Sequence, residues 1–102
     1  MMREVVVRPE AANDIRSVYA WYEPISAAFA MRFIRRLDEA IVRAREWPLM
    51  YQIVYRVFRR APLRRFPYSV FYRADEERIV IVAVLHQVRD PRFIESRLNG
   101  ES

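Results

Sequence analysis

The segment RVFRRAPLRRFPYSVFYRADEERIVIVAVLHQVRDPRFIESR, Arg56 to Arg97, decides the fold, because it holds both the sheet and most of the unbalanced charge. Ile79 to Leu85 (IVIVAVL) is apolar at every position, the pattern of an interior strand covered on both faces. Tyr68 to Ala74 alternates Tyr68, Val70 and Tyr72 with Ser69, Phe71 and Arg73, and reads as a second strand. Asp75, Glu76 and Glu77 make the turn between the two. Pro67 separates this pair from an earlier strand that begins near Arg56. Pro62 in that strand cannot donate to a ladder, which predicts a sheet edge or a bulge. Met50 to Tyr55 has no clean period and reads as a connection bending into the same strand.

Upstream, Val5, Val6 and Val7 form a short β-branched strand within Glu4 to Arg8, stopped by Pro9. Pro9 also suits the first turn of a helix, where its missing N–H costs nothing. Ala11, Ile15, Val18, Tyr19 and Tyr22 then line one helical stripe that ends at Pro24. Ser26 is placed to cap a longer helix running to about Trp47, with Ala30, Phe33, Ile34, Leu37, Ile41 and Ala44 on its apolar side and Pro48 as its stop. So short a link between two amphipathic helices predicts an antiparallel hairpin on one face of the sheet. A helix from Pro91 to about Arg97, with Phe93, Ile94 and Leu98 apolar, covers part of the other face. The expected class is α+β: an N-terminal strand, an antiparallel helical hairpin packed on an antiparallel β-meander, and a short C-terminal helix. Residues 1–98 are expected to form one domain, with 99–102 a frayed tail.

Composition removes whole classes of function. The chain has 102 residues and no cysteine, which excludes thiol redox chemistry and zinc–thiolate sites. Its one histidine, His86, excludes a histidine-rich metal site, and its one glycine, Gly100, excludes Gly-rich phosphate loops. No cofactor or metal is expected. Charges interrupt the N-terminus where a signal peptide needs an apolar run, so a cytoplasmic protein is expected. Between Pro48 and Ala74 lie six arginines (Arg56, Arg59, Arg60, Arg64, Arg65, Arg73) and no acid, against a net charge of +5 for the chain. Basic character concentrated on a meander is a directed field for an anionic partner; its bland counterpart is a solvated strand face that resists edge-to-edge aggregation.

His86, Arg89 and Asp90 form the most concentrated polar cluster beside that segment. A histidine there can act as acid or base on an RNA backbone with arginines on the phosphate, or simply hydrogen-bond a loop while Asp90 pairs an arginine. Phe66, Tyr68, Phe71 and Tyr72 suit base stacking or, more simply, core packing. Trp21, Tyr22, Trp47, Tyr51 and Tyr55 cluster near helix ends, where so many rings in a small domain predict an exposed partner-binding patch.

The words Glu10-Ala-Ala-Asn-Asp14-Ile, Trp21-Tyr22, Trp47-Pro48, LRRFPYSVFYR (Leu63 to Arg73) and AVLHQVRDPRFIESR (Ala83 to Arg97) resemble the ParE branch of the ParE/RelE toxin family. The resemblance spans nearly all of Arg3 to Arg97. It implies the toxin of a type II toxin–antitoxin pair, of the kind associated with plasmid stabilisation. An acidic, ParD-like antitoxin, partly disordered, would fold around it in a joint oligomer, and DNA gyrase would be the target. RelE-like members instead cleave messenger RNA on the ribosome. Where the RelE-like word reads Gly-Asp-Tyr-Arg, this chain has Phe66-Pro67-Tyr68-Ser69, so a serine replaces the expected phosphate-binding arginine, and the terminal Tyr or His-Tyr is missing. The first reading is therefore a non-enzymatic gyrase inhibitor. Its target contacts are Arg59, Arg60, Arg64, Arg65, His86, Arg89 and Arg97; its antitoxin contacts are Tyr19, Trp21, Tyr22, Trp47, Tyr51 and Tyr55. The alternatives are a ribosome-dependent endoribonuclease using His86 with Arg64, Arg65 and Arg89, or a degenerate member that binds its partner without toxicity.

Overall fold

Proline and serine set the boundaries of the helical hairpin. In the computed structural model, which describes residues 2–101, strand β1 (Glu4–Val7) leads into α1 (Pro9–Tyr22), with Pro9 in its first turn. Helix α2 (Ala27–Glu46) follows after a turn, and the Ser26 hydroxyl accepts from the Phe29 N–H at 3.1 Å, capping a donor that the helix leaves unpaired. The remaining elements are β2 (Ile53–Tyr55), β3 (Phe58–Pro62), β4 (Tyr68–Ala74), β5 (Arg78–His86) and α3 (Pro91–Asn99). At the β4–β5 turn the Asp75 carboxylate accepts from the N–H groups of Glu77 and Arg78. Asp90 does the same for Arg92 at the start of α3.

The five strands are ordered β1-β5-β4-β3-β2. β2 through β5 form the expected antiparallel meander, while β1 lies parallel to β5, so the sheet is mixed. Two details differ from the sequence reading. The stretch assigned to a connection contains a short edge strand, β2, and Arg56 lies not in a strand but in the β2–β3 turn at φ 52°. A three-residue strand carries too short a pattern to register as a period. Pro62 is explained by the same detail. The Arg60 N–H bonds the Gln52 carbonyl at 3.1 Å, and two residues later the missing Pro62 N–H points past the end of β2.

Both faces of β5 are buried, as its unbroken apolar run requires. The hairpin covers Val70, Tyr72, Ile79, Ile81 and Val84 with Phe33, Leu37, Ala40 and Ala44. Helix α3 covers Phe58, Phe71, Val80, Val82 and Leu85 with Leu98 and Ile94. Each large side chain so buried contributes about 1.5–3 kcal/mol. The core also shelters one phenol: Tyr72 donates to the Pro48 carbonyl at 2.6 Å, pinning the end of α2 to the sheet. No helix among the described residues is long and apolar enough to cross a membrane.

Candidate functional site

β1 pairs with only the first half of β5, its register ending at Val7 opposite Ile81, and the second half of β5 has a free edge on that side. A bulge lies at the point where pairing stops. Phe71 faces Ala83 and Tyr72 faces Ile81, so Val82 is the extra residue. The backbone groups freed here are taken up by side chains. Asp14, from α1, accepts the Val84 N–H at 3.0 Å, and Arg97, from α3, donates to both Asp14 oxygens at 3.1 and 2.9 Å. Arg97 also reaches the Val82 carbonyl at 3.4 Å. Asp14 and Arg97 are only 14% and 24% exposed, so this two-pronged pair is partly withdrawn from solvent. The hydrogen bonds from Asp14 hold the Arg97 guanidinium above its ordinary pKa against the opposing effect of burial.

Beyond this clamp, α1 and the end of β5 diverge to leave a cleft of about 500 Å³. Its walls are Asp14, Ser17, Val18 and Trp21 from α1, Tyr68 from β4, and Val84, His86, Val88 and Arg89 from β5 and the loop after it. Tyr68 and His86, which line it, belong to a chain of edge-to-face rings. Tyr22 packs on Phe29 at 5.0 Å and on Phe66 at 5.7 Å, Phe33 on Tyr68 at 5.7 Å, and Tyr68 on His86 at 5.1 Å. Burial first, then the neighbouring Tyr22 hydroxyl, pushes the Tyr68 phenol up, while Arg89 pulls it back. His86 Nδ1 accepts from the Val88 N–H at 3.2 Å, and Arg89 lies over the Phe93 ring at 4.4 Å. Trp21 and Val88 are 70% and 82% exposed, an apolar rim beside a cation. The cleft can therefore seat a flat or aliphatic group and an anion together.

The other residues singled out from the sequence scatter. Arg59 points to the hairpin side and donates to the Tyr51 carbonyl at 2.7 Å; Arg60 lies on the opposite face; Arg64 and Arg65 occupy the exposed β3–β4 turn. The six arginines between Pro48 and Ala74 form no ion pair among the described residues, yet they do not make one platform, because alternation sends successive side chains to opposite faces. Arg97 serves the internal clamp. The aromatics divide too. Tyr19, Trp21 and Tyr22 sit at the cleft end of α1, whereas Trp47 lies beside Met2 and Arg3, Tyr51 is on the hairpin face, accepting from Arg43 and edge-on to Tyr72, and Tyr55 is on the α3 face beside Asn99. Asp14 is not among the site residues expected from the sequence. The signal was present, since an acid three residues after Ala11 and four before Val18 lies on the buried stripe of α1.

Residues 5–91 match the family model described as ParE toxin of type II toxin-antitoxin system, parDE. The chain belongs to the ParE toxin family. Two curated ParE relatives, both named Toxin ParE2, come from Mycobacterium tuberculosis strains CDC 1551 / Oshkosh and ATCC 25618 / H37Rv. Each is 25% identical to this ParE-family chain over 103 residues, spanning 100% of it and 98% of the relative. A solved structure titled "Chromosomal ParDE TA system from P. aeruginosa" superposes with a TM-score of 0.70 at 19% identity, covering 83% of this chain and 96% of that one. At that identity the likeness concerns the ParE fold.

Proposed function

We propose that this ParE-family protein is a cytoplasmic toxin, neutralised by an acidic antitoxin and inhibiting DNA gyrase when free. The observation that carries the antitoxin half is the cleft at the free end of β5. Trp21 and Val88 stand exposed there beside Arg89, and the one acid in its lining, Asp14, is committed to Arg97. An acidic, amphipathic segment fits such a surface, because burying the rim removes apolar area from water while a carboxylate meets the Arg89 cation. Tyr19 and Tyr22 extend this contact along α1, and Trp47, Tyr51 and Tyr55 offer the antitoxin further contacts at separate places. For the target, Arg59, Arg60, Arg64, Arg65, His86 and Arg89 remain the proposed contacts. His86 and Arg89 line the antitoxin's cleft, so neutralisation works by covering part of the target surface.

A nuclease reading finds less support in the geometry. Of the residues that reading needs, His86 and Arg89 line the cleft, while Arg64 and Arg65 lie on the exposed β3–β4 turn outside its lining. The test is a pair of assays on purified toxin. Inhibited supercoiling with trapped cleaved DNA, and intact ribosome-bound message, supports the proposal; cleaved message with unaffected gyrase overturns it.

A further inference from the structure

We propose that Arg60, Ser69 and Gln87 form a carboxylate-binding socket on the α3 side of the sheet, fitted to an aspartate or glutamate side chain of a partner protein. The register places Arg60 opposite Phe71 and Pro62 opposite Ser69, which sets Arg60 and Ser69 diagonally on one face. With Gln87 they line a recess of about 330 Å³ at the open end of β3. Ser69 is 1% exposed and its Oγ has no hydrogen-bond partner among the described residues. A buried hydroxyl without a partner is costly, and native folds keep few of them. Arg60, on the rim, is exposed and forms no ion pair among the described residues. The recess stays open because β2 makes its last bond to Arg60 and Pro62 offers no N–H to extend the edge.

The donor set selects the ligand. One guanidinium fork, one hydroxyl and one amide match a singly charged, planar carboxylate. A nucleic-acid strand presents successive phosphates and bases, and this lining has one cation and no aromatic ring. A second copy of the chain is disfavoured by its net charge of +5. The socket lies on the face opposite the His86 cleft and shares only Arg60 with the target contacts proposed above, so its binding of a carboxylate is tested apart from gyrase inhibition.

NMR titration of the intact protein tests it, with acetyl-glutamyl-amide as the probe and sodium chloride and inorganic phosphate at matched ionic strength as comparisons. The Gln87 side-chain amide and the Arg60 Nε–H are expected to shift saturably with the glutamyl probe. Arg60→Gln is expected to weaken binding by about tenfold or more and Ser69→Ala by roughly fivefold. Ser69→Ala should fold with an unchanged or higher Tm, because it removes a hydroxyl that nothing satisfies. Three results would overturn the proposal: shifts that follow ionic strength alone, tighter binding of phosphate than of the carboxylate, or a Tm drop of several degrees in Ser69→Ala.

Discussion

On the hairpin side of the sheet, two helices of 14 and 20 residues lay Phe33, Leu37 and Ala40 over Tyr72, Ile79 and Ile81, and the contact is almost wholly apolar. On the other side a nine-residue helix, α3, supplies Leu98 and Ile94, and a charged pair, Arg97 with Asp14, fastens it across the free edge of β5. The first face is held by area and the second by a clamp. Area is spread over many side chains and fails gradually, whereas a clamp fails when either partner is removed. The candidate cleft opens next to the clamp, on the free stretch of β5 that no other strand covers.

The sharpest way to expose this contrast is to cut each face where it is strongest. Phe33→Ala should destabilise the fold by about 3–5 kcal/mol in urea unfolding, with no local signature, because it opens a cavity in the shared core. Arg97→Ala or Asp14→Asn should cost less, about 2–3 kcal/mol, since both groups keep some solvent contact. That loss should be local: hydrogen exchange at Val84 and along α3 should quicken while α2 stays protected. Equal loss of protection on both faces would break the comparison.

Tyr72→Phe comes next, at about 1–2 kcal/mol, because it leaves the Pro48 carbonyl without its donor. Its effect depends on pH with a definite sign. Burial pushes the Tyr72 phenol from 10.0 to about 12, so the folded chain keeps a proton that the unfolded chain releases. The phenol's contribution is complete below pH 10 and disappears as pH rises toward 12. Urea midpoints of wild-type and Tyr72→Phe protein should therefore converge across that window. The smallest effect is expected for Asp90→Ala. Capping bonds from the Arg92 N–H, then its side chain, hold the Asp90 carboxyl below the usual carboxylate range. Its support of α3 is thus present at neutral pH and fades as the medium becomes acid enough to protonate it. A slight Tm loss at neutral pH, absent in strong acid, would confirm it.

How far the sequence announces this arrangement depends on the length of each pattern. Ile79 to Leu85 declares a doubly covered strand, and Ser26 and the prolines mark the helix ends, because each rests on several residues acting together. β2 escapes because three residues define no period. The parallel pairing of β1 escapes because strand order depends on distant contacts. Among functional residues, His86, Arg89 and Trp21 are legible by type and do meet in one cleft. The arginine segment misleads: a run without acids looks like one surface in one dimension, but pleating distributes Arg59 and Arg60 to opposite faces. Asp14 is the reverse case. One acid on an apolar stripe gives a weak signal until the bulge opposite it shows which N–H it serves.

The most direct test of the cleft as the partner surface is isothermal titration of the toxin with the product of an acidic reading frame adjoining its coding sequence. The double variant Trp21→Ala/Arg89→Ala should bind about a hundredfold or more weakly than wild type, with Trp47→Ala changing affinity far less. Unchanged affinity in the double variant, or a larger loss from Trp47→Ala, would contradict the account.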